Sequence, residues 1–175
     1  MYPMALKYRF SCPVSHILTI LHWESTILLT VRGKMSVKPE YSKVDLSSLS
    51  NPSEVISTHV KLVWDLNFEK KEIKGYVEHT VKVLVEGSNH VDFDSSKLNL
   101  TEVVLINNEI AFMKVLPEHP ILGSKIEITI PSHLQKVGSV FTVKIEYSVG
   151  EEASAVQWLD AAATKGGTAT LVILT

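Results

Sequence analysis

The chain has 175 residues, of which 45% are apolar and 21% charged, so it is long enough for one globular domain and is unlike disordered or fibrous proteins. Residues 1–34 carry four basic side chains and one acidic one, whereas the remainder carries 13 Lys and Arg against 18 Asp and Glu. This mildly acidic body offers no basic face, so we expect no nucleic-acid partner. Cys12 is the only cysteine, which excludes an internal disulfide and a thiolate zinc site, and it favours a reducing, cytoplasmic environment.

The first 34 residues resemble a secretory leader only in outline. Basic residues precede an apolar stretch over residues 14–21, but no small-residue cleavage site follows. His22 and Glu24 separate that stretch from Ile27–Val31, so neither half approaches the roughly 20 apolar residues needed to span a membrane. We therefore expect residues 1–34 to be an extension or possible leader outside the fold, and we expect no membrane span. Residues 35–54 are rich in Ser, contain Pro39 and Pro52, and predict a loose lead-in.

From Ile56 onward the chain alternates apolar and polar residues with a period of two, which is typical of half-buried strands. The run Glu69–Glu72 predicts the tip of a hairpin, and Gly75 marks a bulge or a close backbone approach in the second strand. Asn107 and Asn108 predict another turn. Similar alternation recurs over residues 126–130 and 141–149. The pattern predicts an all-β, largely antiparallel curved sheet or sandwich of about six or seven strands, with no internal repeat.

The polar residues do not form a recognisable catalytic or metal-binding set. The seven histidines lack the His-x-x-x-His and His-x-His spacings of metal sites, and His79 falls on the apolar side of its strand, which favours a buried, hydrogen-bonded histidine. Asp92 and Asp94 would share a strand face within reach of one ion, but the following Ser95 and Ser96 favour a strand that ends in a turn. Asn99–Thr101 matches the glycosylation acceptor pattern. We predict no catalytic, cofactor-binding or metal-ligating residue and no cofactor in this chain.

Several motifs in chain order resemble the N-terminal domain of leukotriene A4 hydrolase and related aminopeptidases, which are zinc metallopeptidases of the aminopeptidase N type. The resemblance runs from about Ser47 to Thr164 and includes the lead-in with Asn51 and Pro52. It also includes the strand Thr58–Leu62, the hairpin Asn67–Gly75, and the later segments Leu98–Leu100, Val103–Asn107 and Ile126–Pro131. The most specific part is Ser154–Leu159, which precedes Thr164. The resemblance implies a saddle-like β domain that packs on a catalytic domain.

The resemblance also implies what this chain does not contain. The family binds zinc through His-Glu-x-x-His and a later Glu, and holds the substrate amine with Gly-x-Met-Glu-Asn; neither motif occurs here. After Lys165 the sequence no longer resembles the family. We therefore interpret residues 55–165 as an incomplete aminopeptidase N-terminal β domain, truncated before the catalytic domain, and residues 166–175 as a divergent tail.

Two functions fit this sequence. The first is a non-catalytic β domain of a zinc metallopeptidase whose full length would hydrolyse peptide N-termini and epoxides, with that enzyme's catalytic domain as partner. The second is a free-standing β-sandwich module that binds a protein partner through a sheet edge. If the motif around Trp158 has lost its cover and the apolar Leu171–Leu174 has nowhere to bury, the isolated chain is expected to associate.

Overall fold

The computed structural model describes residues 18–21, 26–31, 47–153, 155–164, 167 and 169–173. These residues form twelve β-strands and two short 3-10 turns, Ser132–Leu134 and Ala161–Ala163. The strands are β1 (Leu18–Leu21), β2 (Thr26–Val31), β3 (Val55–Asn67), β4 (Glu72–Val83), β5 (His90–Ser95), β6 (Asn99–Ile106), β7 (Glu109–Ala111), β8 (Met113–Val115), β9 (Ser124–Thr129), β10 (Val140–Val149), β11 (Val156–Leu159) and β12 (Thr170–Ile173). Within these ranges no helix has the length and apolar character needed to cross a membrane.

The strands form three antiparallel sheets. The largest has six strands in the order β2-β3-β4-β10-β6-β7, and the other two have three strands each, in the orders β5-β9-β8 and β1-β12-β11. The predicted all-β, antiparallel class is confirmed. The stretch from Val55 to Val149 contains eight strands, more than the six or seven predicted, because the run over residues 110–115 is divided at Phe112.

The six-stranded sheet packs against the β5-β9-β8 sheet through one apolar core. The His79 ring of β4 lies 4.4 Å from the Phe93 ring of β5, which places the inner faces of the two sheets in direct contact. The core side chains come from alternate positions of the long strands: Val60, Leu62, Trp64, Leu66, Ile73, Val77, Val81, Ile126, Ile128, Phe141, Val143, Ile145 and Val149. Strand alternation therefore predicted the inward-facing residues of β3, β4, β9 and β10.

Alternation is wrong at the beginning of β3. Val55 is buried, whereas Ile56 is only half-buried and Thr58 is exposed. The register with β4 shifts between Ser57 and His59, so Thr58 is the extra residue of a β-bulge and the inward face changes parity there. A bulge cannot be located from a run in which Ile56, Thr58 and Val60 all suit a strand.

Gly75 occupies a close approach in the middle of the largest sheet, as its sequence position suggested. It lies opposite Trp64 on β3 and opposite Tyr147 on β10. A Cβ at this position would come within 1.9 Å of the Val63 carbonyl oxygen. These three residues form one row across β3, β4 and β10. Over Gly75 the Trp64 indole Nε1 donates a hydrogen bond to the Tyr147 hydroxyl at 2.7 Å, although the two residues are 83 positions apart. The missing side chain thus lets two large aromatic residues meet across three strands.

The segments assigned from sequence to the outside of the fold contribute strands. Within residues 1–34, β2 pairs with β3 over six positions and β1 pairs with β12, so the expected exclusion of this range is not what the structure shows. The run Thr26–Val31 has strong β-propensity, and β3 offers it a long edge. In the divergent range 166–175, β12 pairs with β11 and Leu171 is fully buried. Among the described residues of this range, the apolar Leu171 therefore buries within the chain, contrary to expectation.

The lead-in is also fixed where the structure describes it. The Asn51 side chain donates to the His90 carbonyl oxygen and accepts from the Asp92 backbone N–H, at 3.2 and 2.9 Å. Its amide group thereby pairs with β5 much as a strand would. Residues 35–46 of the predicted loose lead-in lie outside the described residues, and residues 47–54 do not fit that description.

Substitution of Gly75 tests the close approach. Gly75→Ala places a methyl group against backbone that cannot move without breaking the sheet, so the free energy of unfolding should fall by about 2–4 kcal/mol. Gly150→Ala is the control, because a Cβ there meets nothing within 4 Å. Its unfolding free energy should change by less than about 0.5 kcal/mol in urea denaturation. Equal midpoints for the two variants would contradict the assigned register.

Candidate functional site

Four titratable side chains meet on the outer face of the β5-β9-β8 sheet. Asp92 of β5 lies directly opposite Glu127 of β9, and Asp94 lies opposite Lys125. His90 precedes Asp92 by two positions and therefore shares its face. The Lys125 ammonium lies 2.5 Å from Asp92 Oδ2 and 3.7 Å from Glu127 Oε2, while His90 Nε2 lies 3.6 Å from Asp92 Oδ2. The Asp92 side chain is only 3% exposed, so this is a largely buried ion pair with two flanking groups.

Three of these side chains, His90, Asp92 and Glu127, offer one potential metal ligand atom each, and the three atoms lie within 4.8 Å of one another. The sequence analysis did not find this set because its members lie on two strands, and only the β5–β9 register brings them together. Lys125 argues against a metal ion here. Its ammonium group lies against the Asp92 oxygen and beside Glu127, where a bound cation would need to be, and two cations repel at this distance. The arrangement fits a buried ion pair better than a metal centre.

Burial and charge act in opposite directions on Asp92. Removal from water raises the pKa of its carboxyl group, and the hydrogen bond from Lys125 lowers it. The adjacent carboxylates raise the pKa of Lys125, although its partial burial opposes this. The buried Asp92 Oδ1 has no hydrogen-bond partner among the residues that the structure describes. Lys125 therefore supplies the charge compensation that allows a carboxylate to remain in this place.

Asp94, the second carboxylate of the predicted pair, has a different role. It accepts hydrogen bonds from the Ser48 hydroxyl at 2.6 Å and from the Leu49 backbone N–H at 2.7 Å. Strand β5 ends at Ser95 and a bend follows at Ser96 and Lys97. The preferred interpretation of a strand that ends in a turn is confirmed, and Asp94 anchors the lead-in rather than joining Asp92 around an ion.

His79 is buried in the core, as its position on the apolar face predicted. Its Nδ1 lies 3.2 Å from the Ser57 hydroxyl, which reaches it from the bulged end of β3, and its ring stacks at a tilt on Phe93. Burial lowers the pKa of His79 to about 3. The imidazole is therefore neutral at physiological pH, and it serves as a polar core residue between the two sheets.

The Gln157-Trp158-Leu159 motif docks on the β3–β4 hairpin. The Trp158 ring meets the Phe68 ring edge-on, with centroids 5.4 Å apart. Lys71, at the hairpin tip, lies 3.1 Å from Glu151 and 3.8 Å from Asp160, which bracket the motif. Val156 is buried and Trp158 is half-buried. The motif is therefore better covered than the sequence analysis expected.

A shallow groove of about 440 Å³ lies on the outer face of the six-stranded sheet. Its lining includes Lys74, Tyr76 and Glu146 together with both polar residues of the glycosylation pattern, Asn99 and Thr101. The register of β10 against β6 shifts between Ile145 and Tyr147, which opens the groove. The Thr101 hydroxyl donates to the Glu146 carbonyl oxygen at 3.1 Å. The groove thus follows from a strand irregularity, and its lining shows no nucleophile paired with a general base.

Comparison with known proteins gives this fold and its motif a family context. No protein-family model matches the chain. It is 34% identical over 135 residues to leucine aminopeptidase 2 of Saccharomyces cerevisiae and 31% identical over 128 residues to leucine aminopeptidase 2 of Candida glabrata. These alignments cover 75% and 73% of this chain but only 19% of each relative.

Solved structures agree with the sequence relatives. Yeast leukotriene A4 hydrolase in complex with bestatin superimposes with a TM-score of 0.62 at 28% identity, over 79% of this chain and 21% of the hydrolase. The native yeast enzyme gives the same TM-score at 30% identity. The chain therefore spans about a fifth of the length of the relatives that it matches.

The fold and the order of the motifs together define the class of domain, which is an antiparallel β domain of the kind found in metallopeptidases. More particularly, the chain belongs with the N-terminal β domain of the leukotriene A4 hydrolase-like aminopeptidases. The resemblance found in the sequence is confirmed.

The ion pair can be tested by removing its cation. Lys125→Met leaves Asp92 buried without charge compensation, so the free energy of unfolding should fall by about 3 kcal/mol. Asp92→Asn combined with Lys125→Met should recover more than half of that loss. Lys114→Met is the control, because Lys114 is exposed on the same sheet, one strand beyond Glu127. Denaturation midpoints that do not differ between Lys125→Met and Lys114→Met would contradict this account.

His79 should make the domain sensitive to acid. Above pH 6.5 the imidazole is neutral in the folded and unfolded states, and its environment adds no pH dependence. As the pH falls from 6.5 towards 3, His79 is protonated in the unfolded chain but stays neutral in the folded chain. The free energy of unfolding therefore falls by about 1.4 kcal/mol per pH unit. Urea denaturation of His79→Gln between pH 7 and pH 4 should lack this slope, whereas the exposed-site control His133→Gln should retain it.

Proposed function

We propose that this chain is a non-catalytic β domain of a leukotriene A4 hydrolase-like zinc metallopeptidase. In such an enzyme it would pack against the catalytic part and form one wall of the substrate cleft. The observation that carries the proposal is the match to yeast leukotriene A4 hydrolase over 79% of this chain, at 28% identity and a TM-score of 0.62. The order of motifs through Leu159 agrees with it. The parent would be a cytoplasmic enzyme with peptide N-termini and epoxides as substrates.

The residues of this chain support a structural rather than a chemical role. The ionisable side chains of His90, Asp92 and Glu127 converge on one place. The Lys125 ammonium lies among them and forms an ion pair with Asp92. His79 is neutral and sealed in the core. Zinc in the parent enzyme would be held by residues beyond those that this chain supplies.

A second candidate, a free-standing interaction module, is favoured by one specific observation. Strand β12 covers β11 from within the chain, so the part of the surface next to the family motif is closed without a catalytic domain. Such a module would bind a protein partner through an open sheet edge such as β7.

Metal content and activity of the purified chain provide the first test. We expect no stoichiometric zinc after dialysis and no hydrolysis of a leucine amide substrate, with full-length yeast leukotriene A4 hydrolase assayed in parallel. About one zinc per chain, or release of leucine above the buffer rate, would overturn the non-catalytic assignment.

Domain replacement distinguishes the two candidates. Residues 47–164 would replace the corresponding fifth of yeast leukotriene A4 hydrolase, and the chimera would be assayed for bestatin binding and leucine amide hydrolysis. The wall proposal predicts that both are retained within about tenfold of the parent. A folded chimera that has lost both would favour the interaction module.

A further inference from the structure

Strand β12 is the central strand of the β1-β12-β11 sheet. Its four residues pair with β11 on one side and with β1 on the other, each in antiparallel register. Leu171 lies opposite Trp158 of the family motif, and Thr170 lies opposite Leu159. The segment that supplies β12 lies in the range 166–175, which the sequence analysis interpreted as a divergent tail.

The pairing also buries apolar surface. Leu171 is fully buried, and Val156 on the paired strand is 6% exposed. Both belong to the same core cluster as the long strands of the six-stranded sheet, and Trp158 packs against that cluster. Strand β12 is therefore part of the core on its inner side and a pairing partner for β11 at its edge.

The connection between the two strands brings the chain back onto β11. Backbone hydrogen bonds from Ala163 to Asp160, from Thr164 to Ala161 and from Gly167 to Thr164 form successive turns after the motif. Lys71 holds the beginning of this connection through Asp160. The connection from β11 to β12 is thus fixed at its beginning by these turns and by Lys71. At its end it is held by the pairing of β12 with β11.

Without β12, strand β11 would lose the partner of its backbone groups and the cover of Val156. An unpaired strand edge beside an apolar surface is a template for pairing with another chain. A second copy of this chain provides the matching segment, because its own β12 has the register and the apolar side chain that β11 accepts.

We propose that β12 is an intramolecular strand cap, which fills the acceptor edge of β11 in cis and keeps this chain monomeric. Displacement of the cap opens β11 to the β12 of a second copy. This reverses the association expected from the sequence for the intact chain and confines it to chains in which the cap is broken.

The test uses the full chain and two matched variants. Leu171→Asp places a charge in the buried position of β12, whereas Val172→Thr alters the neighbouring half-buried position and keeps β-propensity. Sedimentation velocity at micromolar concentration should give a monomer for the intact chain and for Val172→Thr. Every copy of Leu171→Asp carries the charged β12, so β11 of this variant should instead accept an added fluorescent peptide with the unaltered sequence of residues 168–175, which the intact chain and Val172→Thr should not bind. In hydrogen exchange, the amides of β11 should exchange more than about tenfold faster in monomeric Leu171→Asp at high dilution, while those of β4 remain protected.

A control peptide identifies the edge that is used. The same peptide carrying Leu171→Asp should not bind to the Leu171→Asp variant, and equal binding of the two peptides would count against β11 as the acceptor. An oligomeric intact chain would overturn the proposal, as would a Leu171→Asp variant that binds no unaltered peptide or that keeps its β11 protection. If Leu171→Asp does not fold, the mass of the intact chain and the exchange of its β11 amides still decide, since fast exchange there means that no cap is formed.

Discussion

The row formed by Trp64, Gly75 and Tyr147 fixes the register of the three central strands. Only a residue without a side chain fits beside the Val63 carbonyl, and only in this register do the indole and the phenol meet. Both side chains are buried, and burial raises the pKa of Tyr147 to about 12, so the hydroxyl stays protonated and able to accept and donate. A shift of one residue would turn every apolar side chain of β3 or β10 to the opposite face.

The rest of the core depends on this register. Because β4 is held between β3 and β10, His79 reaches the Ser57 hydroxyl and the face of Phe93 on the second sheet. That contact joins the two layers at a polar point inside an otherwise apolar interior. The hairpin tip carried by β3 and β4 then provides Phe68 and Lys71, the residues on which the family motif docks.

Local sequence pattern predicted the elements whose cause is local. Alternation identified the faces of β4, β9 and β10, and the pair Asn107 and Asn108 identified a turn in which both residues adopt positive φ, 48° and 68°. Features that arise between distant segments were not accessible. The bulge at Thr58, the meeting of Lys125 with Asp92, and the burial of Leu171 each require a strand register that no short run of residues specifies.

The division of one strand between two sheets has a mechanical consequence. Strand β7 pairs with β6 in the six-stranded sheet, and β8 pairs with β9 in the β5-β9-β8 sheet. Only Phe112 lies between β7 and β8, and its carbonyl oxygen accepts a hydrogen bond from the Thr129 backbone N–H at 3.0 Å. The two layers are therefore connected covalently at this corner through a single residue. Sliding of one layer over the other would pull on the β6–β7 and β8–β9 ladders at the same time, so we expect both ladders to resist shear at this corner.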